Sequence, residues 1–142
     1  HYFDKKSADI IYTSGTTNKP KGVFINEESY LHTTDELIRV FNQSSKDIEL
    51  LSMPFSHSFG LARLRCALSK GSGGYISDGL RNIPKIYEGI IKIPVNALSL
   101  VPSALYLFKN VLRKNIDKIS NNIKYLTGVT INFDGGKSSG IF

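Results

Sequence analysis

The chain has 142 residues, 41% of them hydrophobic and 21% charged, which describes one ordinary domain and excludes a disordered segment. Eighteen lysines and arginines against 12 acids leave a net charge of +6. No basic run is longer than a pair such as Lys5-Lys6, so a solvated basic surface outweighs a nucleic-acid site or an anionic membrane.

Strands and helices alternate along the chain. Ala8 to Thr13 (ADIIYT) is a short β-prone run closed by Ser14-Gly15, and Val23 to Ile25 suggests a second strand. Asn26 is placed to cap a helix reaching about Phe41, with Glu27 and Glu28 in its first turn. Leu31, Leu37, Ile38 and Phe41 predict its apolar stripe. Ile48 to Met53 reads as a strand stopped by Pro54, and Phe59 to Leu68 as a helix ended by Gly71 to Gly74. Tyr75 to Ser77 is a short strand, Ile83 to Ile91 a helix, and Val95 to Val101 a strand. Ser103 then caps a helix to about Arg113, and Ile123 to Val129 is the last strand. Such alternation predicts an α/β domain with a largely parallel sheet. No apolar run approaches the roughly 20 residues that span a bilayer. The charged start HYFDKKSAD is no secretion signal, which leaves the cytoplasm as the expected compartment. The single cysteine, Cys66, can build neither a disulfide framework nor a cysteine-based zinc site, and sits among apolar neighbours as a core residue.

The stretch YTSGTTNKPKGV, Tyr12 to Val23, concentrates the chemistry. Four hydroxyl residues, two glycines and two lysines follow a buried strand. Hydroxyls and exposed backbone N–H groups can donate to phosphate oxygens, and an ammonium adds charge. Pro20 fixes its own backbone and restrains Lys19 before it. Composition alone leaves a polar surface turn equally open. Two common phosphate loops do not fit. The lysine precedes Gly22 in the wrong order for a Walker loop, and Gly136-Lys137-Ser138 has Ile131 where the first glycine belongs. The dinucleotide G-x-G-x-x-G pattern is absent from this loop.

Tyr12-Thr13-Ser14-Gly15-Thr16-Thr17-Asn18-Lys19-Pro20-Lys21-Gly22 resembles the signature of AMP-forming adenylating enzymes, the superfamily of acyl-CoA synthetases and adenylation domains. That signature runs aromatic, Ser/Thr, Ser, Gly, Ser/Thr, Thr, Gly, any residue, Pro, Lys, Gly. Asn18 is the departure, where glycine is usual; asparagine is the next residue to tolerate a left-handed backbone. Met53 to Leu61 (MPFSHSFGL) is similar to the family's Pro-aromatic-x-His-x-x-Gly block, and Ile93 to Leu107 to its later strand, Val-Pro and helix. The likeness runs in order from roughly Ala8 to Leu126.

The resemblance implies part of the large N-terminal domain of such an enzyme, an α/β fold of mostly parallel sheet with flanking helices. It implies ATP and Mg2+ as cofactors, a small-molecule carboxylic acid as substrate, and coenzyme A or a phosphopantetheine arm as thiol acceptor. Thr13, Ser14, Gly15, Thr16, Thr17, Asn18, Pro20, Lys21 and Gly22 would form the nucleotide loop, with Thr17 also the candidate metal contact. Lys19, in the variable position, would face solvent. His57 would be the catalytic candidate and, with Phe59, would border the acid's pocket. The family continues with a small-residue stretch that Gly128-Val129-Thr130 fits poorly, then a Tyr-Gly-x-Thr-Glu block, a ribose aspartate and a C-terminal domain with a catalytic lysine. The tail Asn132 to Phe142 matches none of these. The expectation is thus a partial adenylation domain over residues 1–142, missing the remainder of its own domain and inactive alone. A catalytically dead nucleotide-binding module of the same fold is the alternative, and a nucleic-acid-binding domain a more distant one.

Overall fold

The computed structural model describes residues 7–13, 19–77, 79–101, 104 and 125–127. Two strands, β1 (Ser7–Thr13) and β2 (Lys21–Asn26), form an antiparallel hairpin. Helix α1 (Glu27–Val40) follows β2 directly, because the Asn26 side chain accepts from the Ser29 N–H at 2.7 Å and two glutamates occupy the first turn. The strand β3 (Ile48–Leu51), the helix α2 (Ser58–Lys70) and the strand β4 (Gly73–Ile76) come next. A single 3-10 turn at Gly79–Arg81 leads into α3 (Ile83–Lys92), then β5 (Ala97–Ser99) and β6 (Tyr125–Thr127).

The strands β4-β3-β5-β6 make a four-stranded parallel sheet, as the alternation of elements predicts. The two N-terminal strands depart from it. Among the described residues they pair only with each other, as antiparallel strands can. One face of the parallel sheet carries the apolar core. Leu50 and Leu98 from β3 and β5 meet Ile86 and Ile90 of α3, with Val95, Leu100 and Ala104 closing the cluster.

Several boundaries differ from expectation. Gly71 alone ends α2, at a left-handed φ of 62° that donates back to the last turn, while Gly73 and Gly74 belong to β4. The strand expected over Val95–Val101 pairs only at Ala97–Ser99. Leu37 and Ile38 of α1 and Phe41 at its end are half-buried as predicted, but Leu31 is exposed and Thr34 is the buried residue of the helix. Thr34 meets α2, where the Cys66 thiol lies 3.8 Å from its carbonyl, and its hydroxyl can be buried because it donates to the Tyr30 carbonyl at 2.7 Å. Cys66 is fully buried, as its neighbours suggested. Of the helix expected from Ser103 to Arg113, only Ala104 lies within the described residues, and the tail Asn132 to Phe142 lies outside them.

On the other face of β3, charge replaces apolar packing. Glu49 is fully buried and accepts from Arg63 Nε and Nη2 at 2.7 Å each, while Ser99 donates to it at 2.6 Å. Arg63 Nη2 also donates to Gln43 at 2.9 Å, and its guanidinium lies over the Phe41 ring. This network joins α2 to β3 and β5.

Candidate nucleotide and acid site

The hairpin sets the two ends of the glycine- and hydroxyl-rich loop side by side. Thr13 stands opposite Lys21 and Tyr12 opposite Gly22 in the ladder, and the Thr13 hydroxyl donates to the Lys21 carbonyl at 3.4 Å. Lys19, Pro20, Lys21 and Gly22 are exposed, with Lys21 opening β2. Ser14, Gly15, Thr16, Thr17 and Asn18, which the sequence reading assigned to nucleotide and metal, lie outside the described residues. Between Thr13 and Lys21 the chain has seven residues to bridge one strand spacing.

His57 is held at the mouth of α2. Its N–H donates to the Pro54 carbonyl and its own carbonyl accepts from the Leu61 N–H, both at 3.1 Å. It is the N-terminal flanking residue of the helix, yet its side chain makes no capping bond and is exposed. The imidazole is thus left available while the backbone beneath it is fixed. Gly60 explains how the loop and helix fit. A Cβ there would stand 2.4 Å from the Pro54 carbonyl oxygen and 2.7 Å from that of Met53, so any side chain would push the 53–57 loop away from α2. Phe59, in the first turn, is half-buried.

The hairpin and this loop face each other. A cleft of about 330 Å³ runs between them, lined on one side by Asp9 to Tyr12 and on the other by Phe55, Ser56, His57 and Leu61. Two of the sequence-predicted regions, the strand leading to the hydroxyl-rich loop and the His57 block, therefore share one cleft; Phe59 is not among its lining residues. A contact that the sequence did not signal holds them together. Arg65 of α2 donates to the Asp9 carboxylate of β1 and lies 4.2 Å from the Tyr30 ring centroid. A lone arginine on a helix carries no mark of such a role until the fold is known. Among the described residues no group of three His, Cys, Asp or Glu is placed to hold a metal ion, and no helix is long and apolar enough to cross a membrane.

Comparison with known proteins adds a family. The family model described as AMP-binding enzyme matches residues 4–136. D-alanine--D-alanyl carrier protein ligase of Bacillus licheniformis is 33% identical over 96 residues, covering 66% of this chain and 19% of its own length. Long chain acyl-CoA synthetase 4 of Arabidopsis thaliana is 28% identical over 120 residues, 79% of this chain and 18% of that protein. Among solved structures, O-succinylbenzoate coenzyme A synthetase from Bacillus subtilis in complex with AMP matches with a TM-score of 0.70 at 22% identity. It covers 89% of this chain and 32% of that one, a likeness of fold. The chain spans less than a third of the length of each of these relatives.

Proposed function

The chain belongs to the AMP-binding enzyme family, and on that premise we propose that it contributes the nucleotide and acid site of an enzyme that activates a carboxylic acid with ATP. The observation that carries this reading is the shared cleft between β1 and the His57 loop, directly beside the neck of the hydroxyl-rich loop.

In the proposed first step a carboxylate oxygen of the substrate attacks the α-phosphorus of ATP. The bond to the bridging oxygen breaks, pyrophosphate leaves, and an acyl-adenylate remains. In the second step a thiolate sulfur attacks the acyl carbon and AMP departs, giving a thioester. Neither step asks the protein for a covalent bond. Positioned donors must hold phosphoryl oxygens and a departing pyrophosphate, which is catalysis by placement and charge.

In this account Ser14, Gly15, Thr16, Thr17 and Lys21 grip the outer phosphates. Thr13 donates to the backbone across the hairpin neck and so reaches phosphate only if that hydroxyl rotates away. His57 stands on the opposite wall and borders the acid, whereas Phe59 does not line that cleft. Magnesium would arrive with the nucleotide, since a phosphate-bound Mg2+ takes much of its coordination from phosphate oxygens and water. It would neutralise charge on the phosphates; Thr17 is its proposed protein contact. The acceptor thiol is coenzyme A or a carrier-bound phosphopantetheine, as the names of the synthetase and carrier-ligase relatives suggest.

Trapping with hydroxylamine tests the first step. The protein carrying this chain, given ATP, magnesium and a panel of acids, should yield an acyl-hydroxamate that requires both acid and ATP. No hydroxamate from a folded protein across aliphatic, aromatic and amino acids would contradict the proposal.

A further inference from the structure

The hairpin is tied to α2 at one point. Arg65 Nη2 of α2 donates to the Asp9 carboxylate of β1, at side-chain exposures of 22% and 17%. Among the described residues no other hydrogen bond or ion pair joins the hairpin to that helix. The guanidinium also rests on a platform. It lies 4.2 Å from the ring centroid of half-buried Tyr30 on α1, the helix that packs against both the hairpin and α2.

The place of this bond matters more than its strength. Leu61 and Arg65 stand four residues apart on one face of α2, and Leu61 lines the cleft that Asp9 also lines. Asp9 is thus both a wall of the cleft and the anchor for Arg65. Two stiff arms start from that anchor. Asp9 to Thr13 is four strand steps, about 13 Å, and ends at the neck of the hydroxyl-rich loop. Arg65 back to His57 is eight helical steps, about 12 Å. A partly exposed ion pair adds little to stability, but here it joins the wall that leads to the loop to the wall that carries His57.

We propose that Arg65 is a positioning residue: gripping Asp9 from the Tyr30 platform, it sets the separation of the Thr13–Lys21 neck from His57 and so aligns bound ATP with the acid. Its catalytic consequence rests on the adenylation reading; its geometry does not. Attack at phosphorus requires the two substrates to be held in near-contact alignment, whereas the binding of each one alone does not. Loss of the clamp should therefore slow turnover more than it weakens binding.

The test begins with steady-state pyrophosphate exchange by the protein carrying this chain. Arg65→Met and Asp9→Asn should each lower kcat about tenfold, with KM for ATP and acid changed less than about threefold. The double variant should be no slower than either single one, since the bond is already gone. Arg65→Lys keeps a charge within reach of Asp9 and should come within about threefold of the natural protein. The Tm should fall by no more than about 4 °C in each. Losses that multiply in the double variant, a loss confined to KM, or no recovery by lysine would overturn the proposal. A spin label separates that failure from a failure of adenylation. Placed at exposed Val23 on β2, as Val23→Cys in a Cys66→Ala background, it should enhance relaxation of the Ser56 and His57 amides, and clearly less so once Arg65→Met is added. Equal enhancement with and without Arg65 would refute the clamp whether or not exchange occurs. A protein without exchange would contradict adenylation, and the label would then decide the clamp by itself.

Discussion

Thr13 faces Lys21 across the neck of the β1–β2 hairpin, its hydroxyl donating to the Lys21 carbonyl, so the first and last residues of the loop are locked within one strand spacing. The Lys21 ammonium stands on the rigid ladder itself, while Lys19 stands two residues before the strand begins. Position therefore separates two lysines that composition cannot.

Lys21→Ala should weaken ATP-dependent activity by about 10- to 100-fold, the range expected for one ammonium–phosphate contact of about 1.5–3 kcal/mol. Lys19→Ala should change it less than about threefold, as befits an exposed charge. Steady-state kinetics on both variants in one buffer checks the contrast. Equal losses would detach the effect from the geometry of the neck.

The Arg63–Glu49 pair is almost fully buried, at 3% and 0% side-chain exposure. Removing one partner strands the other charge, so Arg63→Met or Glu49→Leu should each cost about 3–5 kcal/mol in urea unfolding. The double variant should be less damaging than the sum of the two, since no isolated charge remains. Simple additivity would show that the pair is not coupled.

Gly60→Ala should lose about 1–3 kcal/mol and displace the 53–57 loop, because the new methyl meets two backbone carbonyls that cannot rotate aside. The His57 imidazole resonances should move with it. An unchanged melting temperature together with unchanged His57 shifts would mean that the loop relaxes freely.

Burial pushes the Cys66 thiol above its ordinary value of 9.0, with Arg63 opposing and Glu49 reinforcing the rise. The folded state thus prefers the neutral thiol, and that stability is complete below the ordinary value and lost as pH rises through the folded one. As pH rises above 9.0 the natural chain should lose more stability than Cys66→Ala does. Thiol reagents should modify Cys66 only as fast as the protein opens. Rapid labelling of the native protein would contradict its burial.

Much of this was legible in the sequence because local rules govern it. Asn26 with two glutamates marked the start of α1, the Gly71 to Gly74 stretch the end of α2 (of which only Gly71 caps it), and alternating elements the parallel sheet. The hydroxyl- and glycine-rich loop and the His57 block stood out by residue type and order. Their convergence on one cleft did not, since it depends on the β1–β2 pairing and on the Arg65–Asp9 bridge across 56 positions. Glu49 illustrates the same limit. In a short strand it reads as a solvent-facing charge, and only the return of α2 places Arg63 beside it. Gly60 was visible as part of a block, but the carbonyls that exclude a side chain there belong to a tertiary contact.

Carboxylate-dependent exchange of labelled pyrophosphate into ATP tests the central claim most directly, because it reports reversal of the bond change at the α-phosphorus without any thiol. The protein carrying this chain should catalyse exchange only when a suitable acid is present, and Lys21→Ala should depress it far more than Lys19→Ala. Exchange that is absent with every acid in a folded protein that binds ATP would contradict adenylation, and the shared cleft would then serve nucleotide binding alone.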